Sequence, residues 1–319
     1  HRMNLLFENG PLFYAEFNIR LFFFLLFRKA GLLVSNDLDT LLPNWLTHKI
    51  KRIPIVYDSH ELFTETPEVI HRKFVKSVWE SIESRIFPKL KDVFTVSESI
   101  AEIYREKYGA DVKVVRNVPL ASRFKKQKSR KDLNLPEDKK ILILQGSGIN
   151  IHRGAEELVE AMHFLEGYLL LIIGGGDVID HMKDKAHALK LSEKVRFIPR
   201  MPAEELYQYT MNADLGLAID KDTNLNYRYA LPNKLFDYIH AGIPVLATPM
   251  TEIKKVIIKY NVGTFLEDHH PKNIASSVEK VFSKDCLISE WKENLKFAAK
   301  ELCWEKEEQI IKDVYRKYA

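Results

Sequence analysis

Short apolar runs of four to six residues alternate with longer stretches of helical spacing along the whole chain. In the first third the runs 32–35, 53–57, 93–96 and 112–115 read as buried strands. In the rest, 140–145, 168–173, 194–198, 214–219, 244–247 and 262–265 read the same way. Helices are predicted between them, at 41–51, 69–90, 155–165, 182–191, 203–212, 233–241 and 252–260. Residues 271–301 also read as helical, and an amphipathic helix over 304–318 carries Ile310, Ile311 and Val314 on one side. Strand and helix in strict alternation predict an α/β protein with parallel sheets. In such sheets ligands bind beyond the carboxyl ends of the strands, so the polar clusters there carry the candidate chemistry.

Two segments need separate treatment. After a short apolar segment, Met3–Phe7, and a turn at Gly10-Pro11, a helix over 16–29 is apolar on nearly every side. Packing beneath a sheet is favoured over a hydrophobic foot on a membrane, because an interfacial helix should show a strong polar face. Its longest apolar run, Leu21–Phe27, is seven residues, against the roughly 20 needed to span a bilayer. Residues 120–138 show little periodicity and include Arg123, Lys125, Lys126, Lys128, Arg130 and Lys131, a solvated linker in the simplest view.

Composition narrows the class. The 319 residues suggest about two domains, and 46% hydrophobic with 29% charged residues suits a globular protein. A net charge of +4 is too mild to argue for nucleic acid. Cys286 and Cys303 have no metal-ligand spacing, which fits reduced thiols in a cytoplasmic setting. No zinc motif, hydrolase elbow or Walker-type phosphate loop is present.

The most telling stretch is 233–245. Pro232 and Asn233 start a helix, Gly242 suits its left-handed cap, and Pro244 prevents resumption. Lys234 places a cation in the first turn, where the helix dipole prefers an anion, and Asp237 follows one turn later. A bound phosphate and a ribose diol would account for both; a solvated lysine and a solvated acid would do so equally well. Gly146-Ser147-Gly148 follows a strand, but the third position of a dinucleotide fingerprint holds Ile151. Arg153 ahead of the next helix could pair with a phosphate. Gly174-Gly175-Gly176 follows the next strand, and Arg200-Met201 could edge a nucleobase pocket. In the first half His60, among Asp58, Ser59 and Glu61 after a strand, is the best catalytic candidate.

Together these residues resemble the family 4 glycosyltransferases of the GT-B fold, over nearly the whole chain and most strongly from Gly146 to Val245. Asp237-Tyr238-Ile239-His240-Ala241-Gly242-Ile243-Pro244-Val245 is similar to that family's Glu-x-Met-Ala-x-Gly-x-Pro-Val, and Arg153-Gly154 to its Lys/Arg-Gly. The resemblance implies two Rossmann-like domains facing across a cleft: an acceptor-side domain at 1–118, a linker at 119–138, a donor-binding domain at 139–303, and a helix at 304–319 crossing back. It also implies transfer of a sugar from a nucleoside diphosphate sugar, with retention and without a metal or other cofactor, to a saccharide or lipid-linked acceptor. Surface polysaccharide or glycolipid synthesis at the inner face of the plasma membrane would suit that chemistry. His60, Arg153 and Lys234 would be catalytic. Gly146, Gly148, Gly174, Gly175, Arg200, Met201, Tyr229, Leu231, Pro232, Asn233 and Asp237 would bind the donor. Three departures stand out. Tyr229 occupies the place of an expected Glu, and Ser147-Gly148 that of a Gly-Arg pair. The family's first strand and glycine-rich loop would lie ahead of His1, making the first domain a shortened one. Two other functions share the pattern: a non-hydrolysing sugar-nucleotide epimerase, and a nucleotide-sugar-binding protein without catalysis.

Overall fold

The computed structural model describes residues 4–123, 125, 127–283 and 285–318; Met3 and Lys126, both invoked above, lie outside them. The chain forms two compact units. The first comprises His1–Arg116, Asn224–Ala230 and Glu308–Ala319, and the second Asn117–Thr223 and Leu231–Glu307.

In the first unit α1 (Gly10–Leu26), β1 (Leu33–Asn36), α2 (Leu38–Lys51), β2 (Ile55–Ser59), α3 (Pro67–Ile70), α4 (Lys73–Ile86), β3 (Asp92–Thr95), α5 (Glu98–Tyr108) and β4 (Val112–Val114) follow in order. The sheet is wholly parallel, in the order β1-β2-β3-β4. One face packs on Leu41, Trp45, Trp79, Phe87 and Tyr104. Against the other lie Ile310, Ile311 and Val314, which gather with Val56 and Phe94.

Two helix predictions are corrected here. Gly10-Pro11 is not a turn but the start of α1, since Pro fits a first helical turn. The single helix expected over 69–90 is broken, because Arg72 leaves helical geometry (φ −112°, ψ 78°) before α4 begins. A third correction concerns burial. None of the α1 residues is buried, so α1 is not a core helix.

The second unit contains β5 (Lys140–Gly146), α6 (Ala155–Ala161), β6 (Tyr168–Gly174), α7 (Ile179–Ala188), β7 (Val195–Ile198), α8 (Ala203–Thr210) and β8 (Leu215–Ala218). After α9 (Leu225–Tyr229), which belongs to the first unit, come α10 (Asn233–Ala241), β9 (Val245–Ala247), α11 (Thr251–Tyr260), β10 (Gly263–Phe265), α12 (Pro271–Phe282), α13 (Asp285–Glu301) and α14 (Trp304–Tyr315), which belongs to the first unit from Glu308 onward. The helical stretch expected over 271–301 is thus two helices. Strand order is β10-β9-β8-β5-β6-β7, again all parallel. The near-continuous apolar runs are explained by burial on both faces: Ile141 to Leu144 and Leu169 to Ile173 are each at most 3% exposed. The basic stretch is tied down in part, for Arg130 reaches the Asp214 carboxylate at 2.8 Å and the Asn212 and Lys139 carbonyls.

Sequence order reverses between β5 and β8, so the topological switch point of this sheet lies at their carboxyl ends. The two strands pair only through Leu142–Leu215 and Ile143–Gly216 before they part. Tyr238, fully buried, fills the opening. Its hydroxyl lies 3.2 Å from the Ile143 and Leu217 carbonyls and accepts from the Gln145 N–H at 3.3 Å. Gly216 makes the room, since a Cβ there would sit 2.3 Å from the Tyr238 ring.

Candidate active site

At that switch point the second unit gathers Arg153, Lys234 and a residue the sequence reading did not single out, Asp220. Asp220 follows β8, and its side chain is 1% exposed. Arg153 Nη1 lies 3.4 Å from one of its oxygens and Lys234 Nζ 3.2 Å from the other. Arg153 is aimed there by Gly154, whose left-handed backbone (φ 73°) lets the chain pass the Ile219 carbonyl; a Cβ would come within 2.3 Å of that oxygen. Lys234 stands in the first turn of α10, whose Pro232 N-cap provides no side-chain hydrogen bond. Lys234 is therefore not a solvated surface lysine: its side chain is 12% exposed. Two cations gathered on one carboxylate beside an uncapped helix N-terminus make a place that suits an anion.

Asp237 is not a solvated acid either. Partly buried on α10, it accepts from Gln145 Nε2 at 2.8 Å, while the Gln145 carbonyl accepts from Thr210 Oγ1 at 2.7 Å. Burial pushes the Asp237 carboxyl up to about 7, and the Gln145 hydrogen bond only partly offsets this. A carboxylate so placed gains from any donor that reaches its remaining oxygen sites. Gly242 ends α10 in the left-handed conformation (φ 72°) expected of it.

The glycines and Arg200 form the loops beside this group. Gly175 N–H donates to the Gly146 carbonyl at 3.3 Å and Ile149 N–H to the Gly175 carbonyl at 2.8 Å. Gly174 serves this junction, since a Cβ on it would strike the Gly146 carbonyl at 1.8 Å. Around Gly148, by contrast, a Cβ would meet only the Asn150 side chain, at 3.7 Å. The exposed Arg200 guanidinium bonds the Ser147 carbonyl and covers Gly175, with Met201 following it. Leu231 is buried, Pro232 partly so, and Asn233 exposed at the head of α10.

His60 and Tyr229 belong to the first unit. Neighbouring strands place Asp37 after β1 and His60 after β2. One Asp37 oxygen accepts the His60 backbone N–H at 2.7 Å, and the other lies 3.4 Å from Nδ1. Asp58 lies 3.3 Å from Nε2. Hydrogen bonding to Asp37 and then Asp58 pushes the imidazole up to about 10, so at neutral pH it is an imidazolium. Asp37 precedes α2 yet makes no capping bond, and its backbone (φ 59°, ψ 169°) lies where glycine is the usual occupant. Burial, with the Asp37 charge, raises Asp39 to about 6; burial and Asp37 also raise Glu61.

Tyr229 packs against the apolar core of this unit. Asn226, three residues earlier, makes the polar link: it donates to Glu61 at 3.2 Å and accepts from Leu62 N–H at 3.0 Å. Asp220, Gln145 and Asn226 had no motif to mark them. For Asp220 and Gln145 the one signal was a polar residue at the end of, or just after, an apolar run; Asn226, in a polar stretch, had none.

Comparison with known proteins decides the family. The model of "Glycosyl transferases group 1" matches residues 125–301, more than half of the chain. The chain belongs to the glycosyl transferases group 1 family. It is 26% identical over 326 residues to the uncharacterized glycosyltransferase MJ1607 of Methanocaldococcus jannaschii, covering 92% of this chain and 74% of the relative. Among solved structures, sucrose-phosphate synthase from Thermosynechococcus elongatus superposes with a TM-score of 0.79 at 17% identity, over 97% of this chain and 81% of that one. Anabaena HepE in complex with UDP-glucose gives 0.76 at 15% identity, over 98% and 85%. These neighbours share the GT-B fold, to which the two parallel α/β sheets of this group 1 glycosyltransferase correspond.

Proposed function

We propose that this glycosyltransferase is a family 4 enzyme that transfers a hexose from a nucleoside diphosphate sugar to a saccharide or lipid-linked acceptor, with retention of configuration. The observation that carries the reading is the convergence of Arg153 and Lys234 on the buried Asp220 carboxylate at the switch point of the donor-side sheet. Transfer breaks the bond between the anomeric carbon and a phosphate oxygen, and forms one to the acceptor hydroxyl oxygen. The diphosphate gains negative charge as it departs. Cations held in place beforehand by Asp220 stabilise that charge without reorganising, which favours the transition state over the bound donor. These two side chains and the α10 N-terminus take the part a metal ion plays elsewhere, so transfer proceeds without one. Asp237 accepts hydrogen bonds from the ribose hydroxyls. Retention puts the acceptor on the face the phosphate leaves, where the departing phosphate oxygen takes the acceptor proton. In the first unit both ring N–H groups of the His60 imidazolium are taken by Asp37 and Asp58, so the part assigned to it is that of a fixed positive charge. The UDP-glucose complex of HepE supports a UDP-sugar as donor, and the chemistry suits polysaccharide or glycolipid synthesis.

The test is product stereochemistry. Donor sugars incubated with an acceptor panel, in the presence of a chelator, should give a product with the donor's anomeric configuration by proton NMR. An inverted product, or a chelator-sensitive rate, would contradict the reading. A second reading, epimerisation of the donor, draws on Asp39 and Glu61, two carboxyls raised toward neutrality beside His60. Epimerised donor formed with no acceptor present would favour it.

A further inference from the structure

The apolar strand β5 ends on a buried amide. Ile141 to Leu144 are wholly out of solvent, and Gln145, which follows them, is only 2% exposed. Its side chain lies between two helices. Nε2 donates to an Asp237 oxygen on α10 at 2.8 Å, and the side-chain carbonyl accepts from Thr210 Oγ1 on α8 at 2.7 Å. Burying an amide costs free energy unless it is hydrogen-bonded, so its presence here needs a physical reason.

The fold itself has little use for that amide. Thr210 Oγ1 also lies 3.0 Å from the Leu206 carbonyl one turn back, and its single proton would go there if residue 145 were apolar. The Gln145 backbone N–H meets the Tyr238 hydroxyl at 3.3 Å whatever side chain it carries. Only Asp237 would lose: among the described residues its carboxylate has no other hydrogen-bond partner, and its second oxygen is bonded to nothing. The titratable and charged neighbours offer no substitute. Tyr207 faces Asp237 from α8, with Arg123 on its hydroxyl, and Tyr238 adjoins it on α10; burial, with the Asp237 charge, pushes both phenols up.

We propose that Gln145 is a positioning residue for nucleotide binding: anchored by Thr210, its amide holds one oxygen of the Asp237 carboxylate and so presents the other to the ribose hydroxyls. The inference rests on the reading of Asp237 as the ribose acceptor. The same hydrogen bond opposes burial, which favours the protonated acid, and it therefore also sets the pH above which the carboxylate is ready for the nucleotide.

Gln145→Met, apolar and of similar length, tests the proposal in the full chain. Carboxyl-carbon NMR, assigned with Asp237→Asn, follows the Asp237 titration, and calorimetry follows the binding of UDP, GDP and ADP across pH. A hydrogen bond to a charged group is worth about one pH unit or more, so the titration should move upward from about 7 by that much. Binding at neutral pH should weaken about five-fold or more, and most of the loss should be recovered two pH units higher, at about pH 9. Thr210→Val, which leaves the amide unanchored, should shift the titration the same way by less, and Thr210→Ser should restore it. Circular dichroism should show all these variants folded. A titration that neither Gln145→Met nor Thr210→Val moves would overturn this inference alone, as would an affinity that Gln145→Met leaves unchanged or lowers equally at every pH. Wild-type protein that binds none of the three diphosphates would overturn it together with the reading of Asp237.

Discussion

Lys234 Nζ lies 3.2 Å from a carboxylate oxygen of Asp220, a residue 14 positions earlier in the chain and almost wholly out of solvent. The contact answers a question the sequence raises. A lysine in the first turn of a helix opposes the dipole unless an anion is near, and here a protein carboxylate is already there. Because Arg153 shares it, one buried acid pre-positions two cations.

Asp220→Asn should therefore destabilise the protein. Removing one partner of a buried ion pair costs about 3 kcal/mol or more, because the remaining charges are left uncompensated. A nucleoside diphosphate should restore part of the loss, by supplying negative charge between the same two cations. Chemical denaturation with and without UDP checks this. A wild-type unfolding midpoint for the variant would show that Asp220 does not organise the cations.

Asp237 should give the free protein a distinct pH dependence. Its carboxyl titrates near 7 in the folded state against about 3.9 when unfolded, so between these values the unfolded chain releases its proton first. Stability contributed by the protonated acid is present at low pH and is lost as pH rises from about 4 to about 7. Asp237→Asn, which stays neutral and keeps an acceptor for Gln145, should flatten this decline and match or exceed wild-type stability at pH 8. At the same time it should weaken nucleotide binding. Parallel melting curves across pH would contradict the assignment.

The Asp37–His60 pair predicts a movable titration. The imidazolium persists to about pH 10 because Asp37, first, and Asp58 accept its protons. In Asp37→Asn the His60 ring should titrate at lower pH, toward the ordinary value near 6.5. Proton NMR of the ring, assigned with His60→Gln, checks this; an unmoved titration would leave Asp37 without the role. The sign for stability is that of a raised base: the His60 contribution is full below about 6.5 and lost as pH climbs through about 10.

The central strands were legible in the sequence because β2, β3, β5, β6, β8 and β9 are buried on both faces and so read as apolar runs. Helix burial was harder, as α1 shows: a helix apolar on all sides looks the same from sequence whether its outer side meets protein or is exposed. At the site, Lys234 stood out because it violates helix electrostatics, and Asp237 because it follows one turn later. Asp220, Gln145 and Tyr238 break no local rule, and their importance exists only once β5 and β8 part at the switch point. Tyr229 and Asn226 show the same limit. Spacing pointed to Tyr229, whose partly buried ring packs against the apolar core, while nothing in the spacing marked Asn226, which makes the polar link to Glu61.

On the proposed mechanism Arg153 and Lys234 hold a nucleoside diphosphate at the switch point. Thermal-shift titration with UDP, GDP and ADP, each set against its nucleoside, tests it most directly, because a ligand that binds the folded state raises the melting temperature by mass action. One diphosphate should raise the midpoint clearly, its nucleoside should do so far less, and Arg153→Met with Lys234→Met should remove most of the difference. No shift with any diphosphate, or an undiminished shift in the double variant, would contradict the claim.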